Sequence, residues 1–186
     1  MKKRVSPADA GAVMLRPRWV RVLLWCCLLL TAAAIFVFSS QEGELSGELS
    51  EAVVRFIVGV VEEGQGSGTD PLQPGVYSFV CKLVRKTAHF LEFAALGFFL
   101  RMLAGAYGLR RATRLCWLAG TLYACTDELH QLFVAGRAGM WQDVLLDAGG
   151  VLAGITFAYA LLVAVGRVRS RLAARHGKPR ECAAED

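Results

Sequence analysis

The strongest constraint on this chain is where its ionisable residues fall relative to its apolar runs. Four long apolar stretches can be read directly: Trp19–Phe38, about Ala88–Leu109, about Leu115–Val134 and about Val144–Gly166. At ~1.5 Å rise per residue, about 20 residues cover a ~30 Å hydrocarbon core. Polar side chains sit in or beside all four. Ser39, Ser40 and Gln41 close the first, and Arg85, Lys86, His89 and Glu92 open the second. Asp127, Glu128, His130 and Gln131 lie toward the end of the third, and Asp143 and Asp147 begin the fourth. If successive stretches cross a membrane in alternate directions, all of these residues come to one depth near its outer face. Ionisable groups are expensive there and point to a functional site.

The rest of the composition agrees with that placement. The chain has 186 residues, 55% of them apolar, and a mean hydropathy of +0.43. That is too apolar for an ordinary soluble domain. The expected fold is an all-α membrane protein, a four-transmembrane-helix bundle over residues 19–166. A cytoplasmic segment, 1–18, precedes it, disordered through about residue 16. A basic cytoplasmic tail, 167–186, follows and is weakly ordered after about Arg169. The first stretch has a basic start, but its apolar run continues through Ala32-Ala33-Ala34 into Ile35-Phe36-Val37-Phe38, longer than a signal core. Trp25 before Cys26 is too bulky for a lipoprotein cleavage site. It reads as a retained helix.

Orientation follows from Lys and Arg in the flanks. They concentrate before the first stretch, between the second and third (Arg110, Arg111, Arg114) and after the fourth. The first loop is acidic, with Glu42, Glu44, Glu48, Glu51, Glu62, Glu63 and Asp70. Both termini are therefore expected in the cytoplasm of a multi-pass cell-membrane protein. The net charge of +5 resides in the cytoplasmic flanks and suits anionic lipid rather than nucleic acid. Leu45, Leu49, Ala52, Val53, Phe56, Ile57 and Val60 recur at helical spacing, which predicts an extra amphipathic helix over about Leu45–Val61 in the first outer loop. Gly64–Gly75 reads as a linker. The six cysteines form no CxxC pair and read mostly as small apolar fillers.

Several positions in the polar set share helical faces. Arg85, His89 and Glu92 are spaced i, i+4, i+7, and His89 and Glu92 can touch. Tyr123, Asp127 and Gln131 share another face, with Glu128 directed elsewhere. Asp127 and Glu128 each need a partner or a proton, and Arg85, Lys86 and Arg137 are the available cations. Asp143 and Asp147 are i, i+4; Asp143 also suits the start of a helix dipole. Gly150 and Gly154 form a GxxxG that permits close helix contact. The spacing is no zinc signature, so neither a metal nor another cofactor is assigned from it.

These pieces occur in one order: FSSQ at Phe38–Gln41, RKTAHFLEFAALG at Arg85–Gly97, DELHQLFVAGR at Asp127–Arg137 and WQDVLLDAGG at Trp141–Gly150, then Gly154. The ordered set resembles the VanZ-like family of bacterial membrane proteins, from the first stretch through the fourth. Phe93 stands where the family often has Tyr, and Ala135 where it often has Pro; neither change touches an ionisable group. The family is named for a protein that raises resistance to teicoplanin. The resemblance implies a cell-envelope role without a defined reaction.

Three functions lead, with proton-coupled transport, which so few helices would support only in a dimer, a minor fourth. The mixed charge at one depth suits binding or handling of a membrane lipid head group or lipid-linked envelope precursor. Cations would pair with phosphate, and carboxylates would accept hydrogen bonds from hydroxyls or amines. An integral-membrane enzyme would use His89 as acid or base, oriented by Glu92 or Asp127, with Ser39 or Ser40 a nucleophile only if a base reaches it. A structural protein would use the network to lock the bundle, docking an envelope protein or a second copy of itself.

Overall fold

The computed structural model describes residues 7–41, 47–48, 50–56, 58–59, 74–109, 112–137 and 139–176. Helix α1 (Pro7–Ala12) runs into a 3-10 turn (Val13–Leu15), followed by α2 (Arg18–Ser39). A short helical stretch, α3, covers residues 50–56. Then come α4 (Pro74–Ala106), α5 (Thr113–Gln131) and α6 (Trp141–His176). No strand occurs among the described residues.

Local chemistry marks the boundaries. Pro7 and Pro74 each occupy the first position of a helix, where a missing N–H costs nothing and a fixed φ helps. Pro17, with ψ 143°, turns the chain out of the 3-10 segment into α2. Gly136 has φ +72°, a left-handed conformation that a side chain would disfavour, and it bends the chain between α5 and α6.

Helices α2, α4 and α6 are long and apolar enough to cross a membrane. At ~1.5 Å per residue, α4 (33 residues) and α6 (36 residues) are about 50 and 54 Å long and overhang a ~30 Å hydrocarbon core. Helix α5 has 19 residues, but Arg114, Asp127 and Glu128 make it less apolar than those three. Of the four apolar spans expected, three are found among the described residues as helices long and apolar enough to cross a membrane, and α5 is not one of them.

Helix α4 is the centre of the bundle and packs against α2, α5 and α6. Ile35, Phe93, Val151 and Ile155 are among the fully enclosed apolar side chains of the bundle. Large apolar groups also point outward: Leu29 and Leu30 on α2, Leu118 and Leu122 on α5, Phe157 on α6. Meanwhile Ser39, Arg101, Asp127, Glu128, Gln131 and Asp147 are buried. This inversion fits lipid as the surrounding solvent, where helices associate through packing and hydrogen bonds rather than by hiding apolar surface.

Small residues set the α4–α6 distance. A Cβ built on Gly154 would lie 1.8 Å from the Ala94 carbonyl oxygen, and one on Gly97 would lie 2.2 Å from that of Val151. Gly150 meets Phe90 O in the same way, at 2.5 Å. The two backbones touch along this seam, and only glycine permits it.

Two sequence expectations are corrected. The N-terminal segment is not disordered through residue 16: α1 packs on α6 with Ala8 and Ala12 buried against Leu162. A Cβ on Gly11 would fall 2.1 Å from Leu162 O. Contact here comes from small side chains that let backbones approach, a signal that hydropathy does not register. The tail is not weakly ordered from Arg169, because α6 continues to His176. Apolar character ends near Gly166, but the following Arg, Leu and Ala residues are good helix formers. The expected helix over about Leu45–Val61 falls partly outside the described residues; residues 50–56 are helical, with Ser50 and Val54 buried and Phe56 exposed. Most of the linker and Cys182 also lie outside them.

Because overpacking a tight contact costs about 1–3 kcal/mol or more, Gly154→Val should lower the melting temperature of detergent-purified protein by several degrees. Gly149→Ala, whose Cβ would meet only Phe90 at 3.8 Å, should leave it within a degree or two. Equal melting temperatures for the two variants would contradict the seam.

Candidate functional site

The polar end of the bundle is built from the end of α2, the middle of α4, the end of α5 and the start of α6. Its best-satisfied part joins α2 to α5. Ser39 Oγ donates to Asp127 Oδ2 at 2.8 Å. Gln131, one turn on from Asp127, donates to the same oxygen at 3.0 Å and to Ser39 Oγ at 3.4 Å. All three side chains are buried. One turn of α5 closer to the core, Tyr123 OH donates to Ala32 O at 2.7 Å, and its ring meets that of Phe93 at 6.1 Å. Phe93 is fully enclosed.

Arg137 arrives from the turn after Gly136. Its Nη2 donates to Phe38 O at 3.1 Å, a carbonyl at the end of α2 that also accepts the Gln41 N–H at 3.4 Å. Its Nε is buried without a hydrogen bond. Burial, and next the neighbouring Arg85 charge, hold the Arg137 guanidinium below its ordinary pKa, while Asp127, Glu128 and Glu92 act the other way. Arg85 and Arg137 thus bring two guanidinium charges within reach of each other's field.

The carboxylates divide by task. Glu128 Oε2 accepts the Met140 backbone N–H at 3.0 Å and fixes the turn into α6. Asp143 pairs with Lys86 across α4 and α6, so Lys86 does more than reach for the surface. Asp147 is 1% exposed, and neither of its carboxylate oxygens has a hydrogen-bond partner. His89 Nδ1 and Glu92 Oε2 are likewise buried and unpartnered. One ligand-type atom from each of His89, Asp127 and Asp147 falls within 4.8 Å of the others.

Two cavities flank this cluster. One, of about 180 Å³, opens between α4, α5, α6 and the Gly136–Met140 turn, with Lys82, Arg85, Lys86, His89, Glu128, Asp143 and Asp147 among its lining. The other, of about 220 Å³, lies on the α2–α3 side and is lined by Phe38, Gln41, Ser50, Val53, Arg85, His89 and Glu92 among others. Arg85, His89 and Arg137 line both. A Cβ on Gly47 would lie 3.6 Å from Arg85 Nη2, so chain just before α3 passes close to this guanidinium.

Two residues from the sequence-derived set stand apart. Ser40 and His130 form their own contact on the outer side of α2 and α5, at 3.1 Å between Oγ and Nε2. The His130 ring packs on Phe36 at 4.8 Å. Ser40 Oγ donates to Phe36 O at 2.6 Å, so its proton is engaged by backbone and the imidazole is left to donate to the hydroxyl oxygen. That is not the arrangement of an activated nucleophile. Ser39 is wholly enclosed. Lys82 lines the first cavity but was not singled out in the sequence, because it lies a turn before the apolar run. Arg101 was also missed: it is buried near the opposite end of α4, over the Tyr159 ring at 5.6 Å.

Ser39→Ala should destabilise the protein by about 1–3 kcal/mol, because it withdraws a donor from a buried carboxylate. Ser40→Ala, whose exposed hydroxyl donates within its own helix and otherwise makes only an exposed contact with the His130 ring, should change stability by less than about 0.5 kcal/mol. Unfolding titrations of both variants in mixed detergent micelles would check the difference.

With this geometry in view, the comparisons with known proteins can be read. The family model described as VanZ/LLP1 matches residues 23–163, from within α2 to well into α6. No curated protein and no solved structure matches the chain. The matched region contains α4, α5, most of α2 and the polar end of α6. The chain belongs to the VanZ/LLP1 family, as an α-helical membrane protein.

Proposed function

We propose that the polar end of this bundle binds and handles the phosphate-bearing head group of an outer-leaflet lipid or lipid-linked envelope precursor. The observation that carries this reading is the pair Arg85 and Arg137. Both line both cavities, both have a buried Nε without a partner, and neither forms an ion pair among the described residues. A phosphate accepts from guanidinium N–H groups in a planar, bidentate way and would relieve the mutual repulsion of the two cations. Lys82 and Lys86 add positive charge at the rim. Carboxylates on the facing wall suit amines or sugar hydroxyls on the same head group.

This reading includes a topology. Helix α5 forms a fourth span, supported by the exposed apolar face of Leu115, Leu118, Leu122 and Leu129 and by charges gathered at its two ends. Both termini lie in the cytoplasm, which places the polar end outside. Helix α3 rests at the outer surface. There Arg55 Nε donates to Tyr77 OH at 3.3 Å, and Tyr77 OH donates to Glu51 O at 3.4 Å, tying α3 to the start of α4. Through its lipid the protein would alter susceptibility to glycopeptides such as teicoplanin.

A second reading, an enzyme acting on a lipid-linked substrate, is favoured by one observation. His89 lines both cavities with an unpartnered Nδ1, beside Glu92 on the same helix. Turnover of lipid precursors by purified protein, lost in both His89→Ala and Glu92→Gln, would select it over simple binding.

Two measurements test the head-group reading. Phospholipid copurifying with the protein should fall at least several-fold in Arg85→Ala and Arg137→Ala, and much less in Arg55→Ala, whose exposed side chain lies outside both cavities; an unchanged lipid profile would sink the proposal. Cells expressing the wild type should show a teicoplanin shift that an equally abundant Arg137→Ala protein lacks. A shift that persists at full size in that variant would separate susceptibility from this site.

A further inference from the structure

Against the wall shared by the two cavities lies a set of groups that the head-group reading leaves unexplained. His89 on α4, Asp127 on α5 and Asp147 on α6 converge from three helices, each offering one ligand-type atom within 4.8 Å of the others. Convergence of acids alone would mean little. The independent observation is Asp147, which is 1% exposed with both carboxylate oxygens lacking any hydrogen-bond donor. A buried carboxylate normally finds donors or a cation, since otherwise its desolvation is uncompensated. Lys86, in the same cavity lining, pairs with Asp143, and no ion pair reaches Asp147 among the described residues. His89 Nδ1 and Glu92 Oε2, also buried and unpartnered, lie on the same helical face.

Asp127 behaves differently, and the difference is informative. Its bonds from Ser39 and Gln131 both fall on Oδ2. One oxygen is thereby held by outer donors, which is how metal-binding carboxylates are commonly oriented. Ser39 and Gln131 would act as such supports.

We infer that His89, Asp127 and Asp147 form a binding site for a divalent first-row cation of the Zn²⁺ or Mn²⁺ type. One imidazole and two carboxylates, with no thiolate, suit such an ion better than Cu⁺ and better than the all-oxygen preference of Ca²⁺ or Mg²⁺. Ligands about 2.1 Å from one ion lie at most about 4.2 Å apart. With its atoms within 4.8 Å of one another, the observed set closes around such an ion through side-chain shifts of under about 1 Å. Since His89 and Asp147 also line the first cavity, the ion sits where a bound phosphate would add to its coordination. The site's ligands are protein atoms, so the inference stands whether or not that cavity takes a lipid.

The test uses the full chain purified in detergent without chelator. Elemental analysis should find about one Zn or Mn per protein, removed by EDTA. Titration calorimetry of the stripped protein with Zn²⁺ and, separately, Mn²⁺ should give one site for at least one of them, and that ion should raise the melting temperature. Asp147→Asn and His89→Ala should each weaken binding at least 100-fold and abolish the thermal shift. Asp143→Asn, which removes only the Lys86 partner, should retain both. Folded wild type that contains no metal, and neither binds nor is stabilised by either ion, would overturn the inference, even if the variants proved too unstable to purify. Binding undiminished in Asp147→Asn would overturn it as well, by placing the ion elsewhere. Phospholipid measured in the same wild-type samples keeps the two readings separate: lipid without metal sinks the cation site alone, and metal without lipid sinks the head-group site alone.

Discussion

The rest of the structure depends on the close approach of α4 and α6. Gly97, Gly150 and Gly154 remove the side chains that would hold these helices apart, so that backbone meets backbone. In a lipid environment such contact, through dispersion and close packing, supplies association that burial of apolar surface cannot. It also sets register. Phe90 lies against Gly150 at the polar end of the seam. Beyond it, Lys86 and His89 on α4 come beside Asp143 and Asp147 on α6. Helices α2 and α5 then close around this pair, and α1 repeats the small-residue device at the other end, with Gly11 against Leu162.

Against that frame, the polar end separates into a satisfied half and an unsatisfied half. Ser39, Asp127 and Gln131 answer one another's hydrogen-bonding needs, Glu128 holds the turn into α6, and Arg137 covers the end of α2. Each of these contacts explains a costly buried group by a structural task. Arg85, His89, Glu92, Asp147 and, at its Nε, Arg137 retain buried polar atoms with no protein partner. All five residues line one or both cavities. Residual polar demand facing enclosed space is what distinguishes a binding site from a network that only locks helices together.

Much of this was legible in the chain. The apolar runs located α2, α4 and α6, and the order of the FSSQ, RKTAHFLEF, DELHQ and WQDVLLDAGG pieces pointed to the family that the comparison identified. Periodicity put Asp127 and Gln131 on one face, and they share a hydrogen bond. What it missed has physical causes. Helix α1 is short and rich in Ala and Gly, so its contact with α6 leaves little trace in hydropathy. Helices α4 and α6 extend beyond the apolar runs that announced them, because helix formation outlasts apolarity. Ser40 and His130 looked like members of one cluster, yet they turn to an outer contact of their own.

The amino-acid sequence by itself determined that ionisable groups gather at one end of an apolar helical protein, since ~1.5 Å per residue and alternating direction set their depth. It also determined which residues share a face of each helix, because that needs only the 3.6-residue period. Only the tertiary structure decided how the faces meet. Lys86 pairs with Asp143, while His89 faces Asp127 and Asp147; Ser39 reaches Asp127, while Ser40 does not. The physical reason is that axial register and rotation between helices are set by where side chains are small enough for backbones to touch. That is a property of pairs of helices, which no single segment carries.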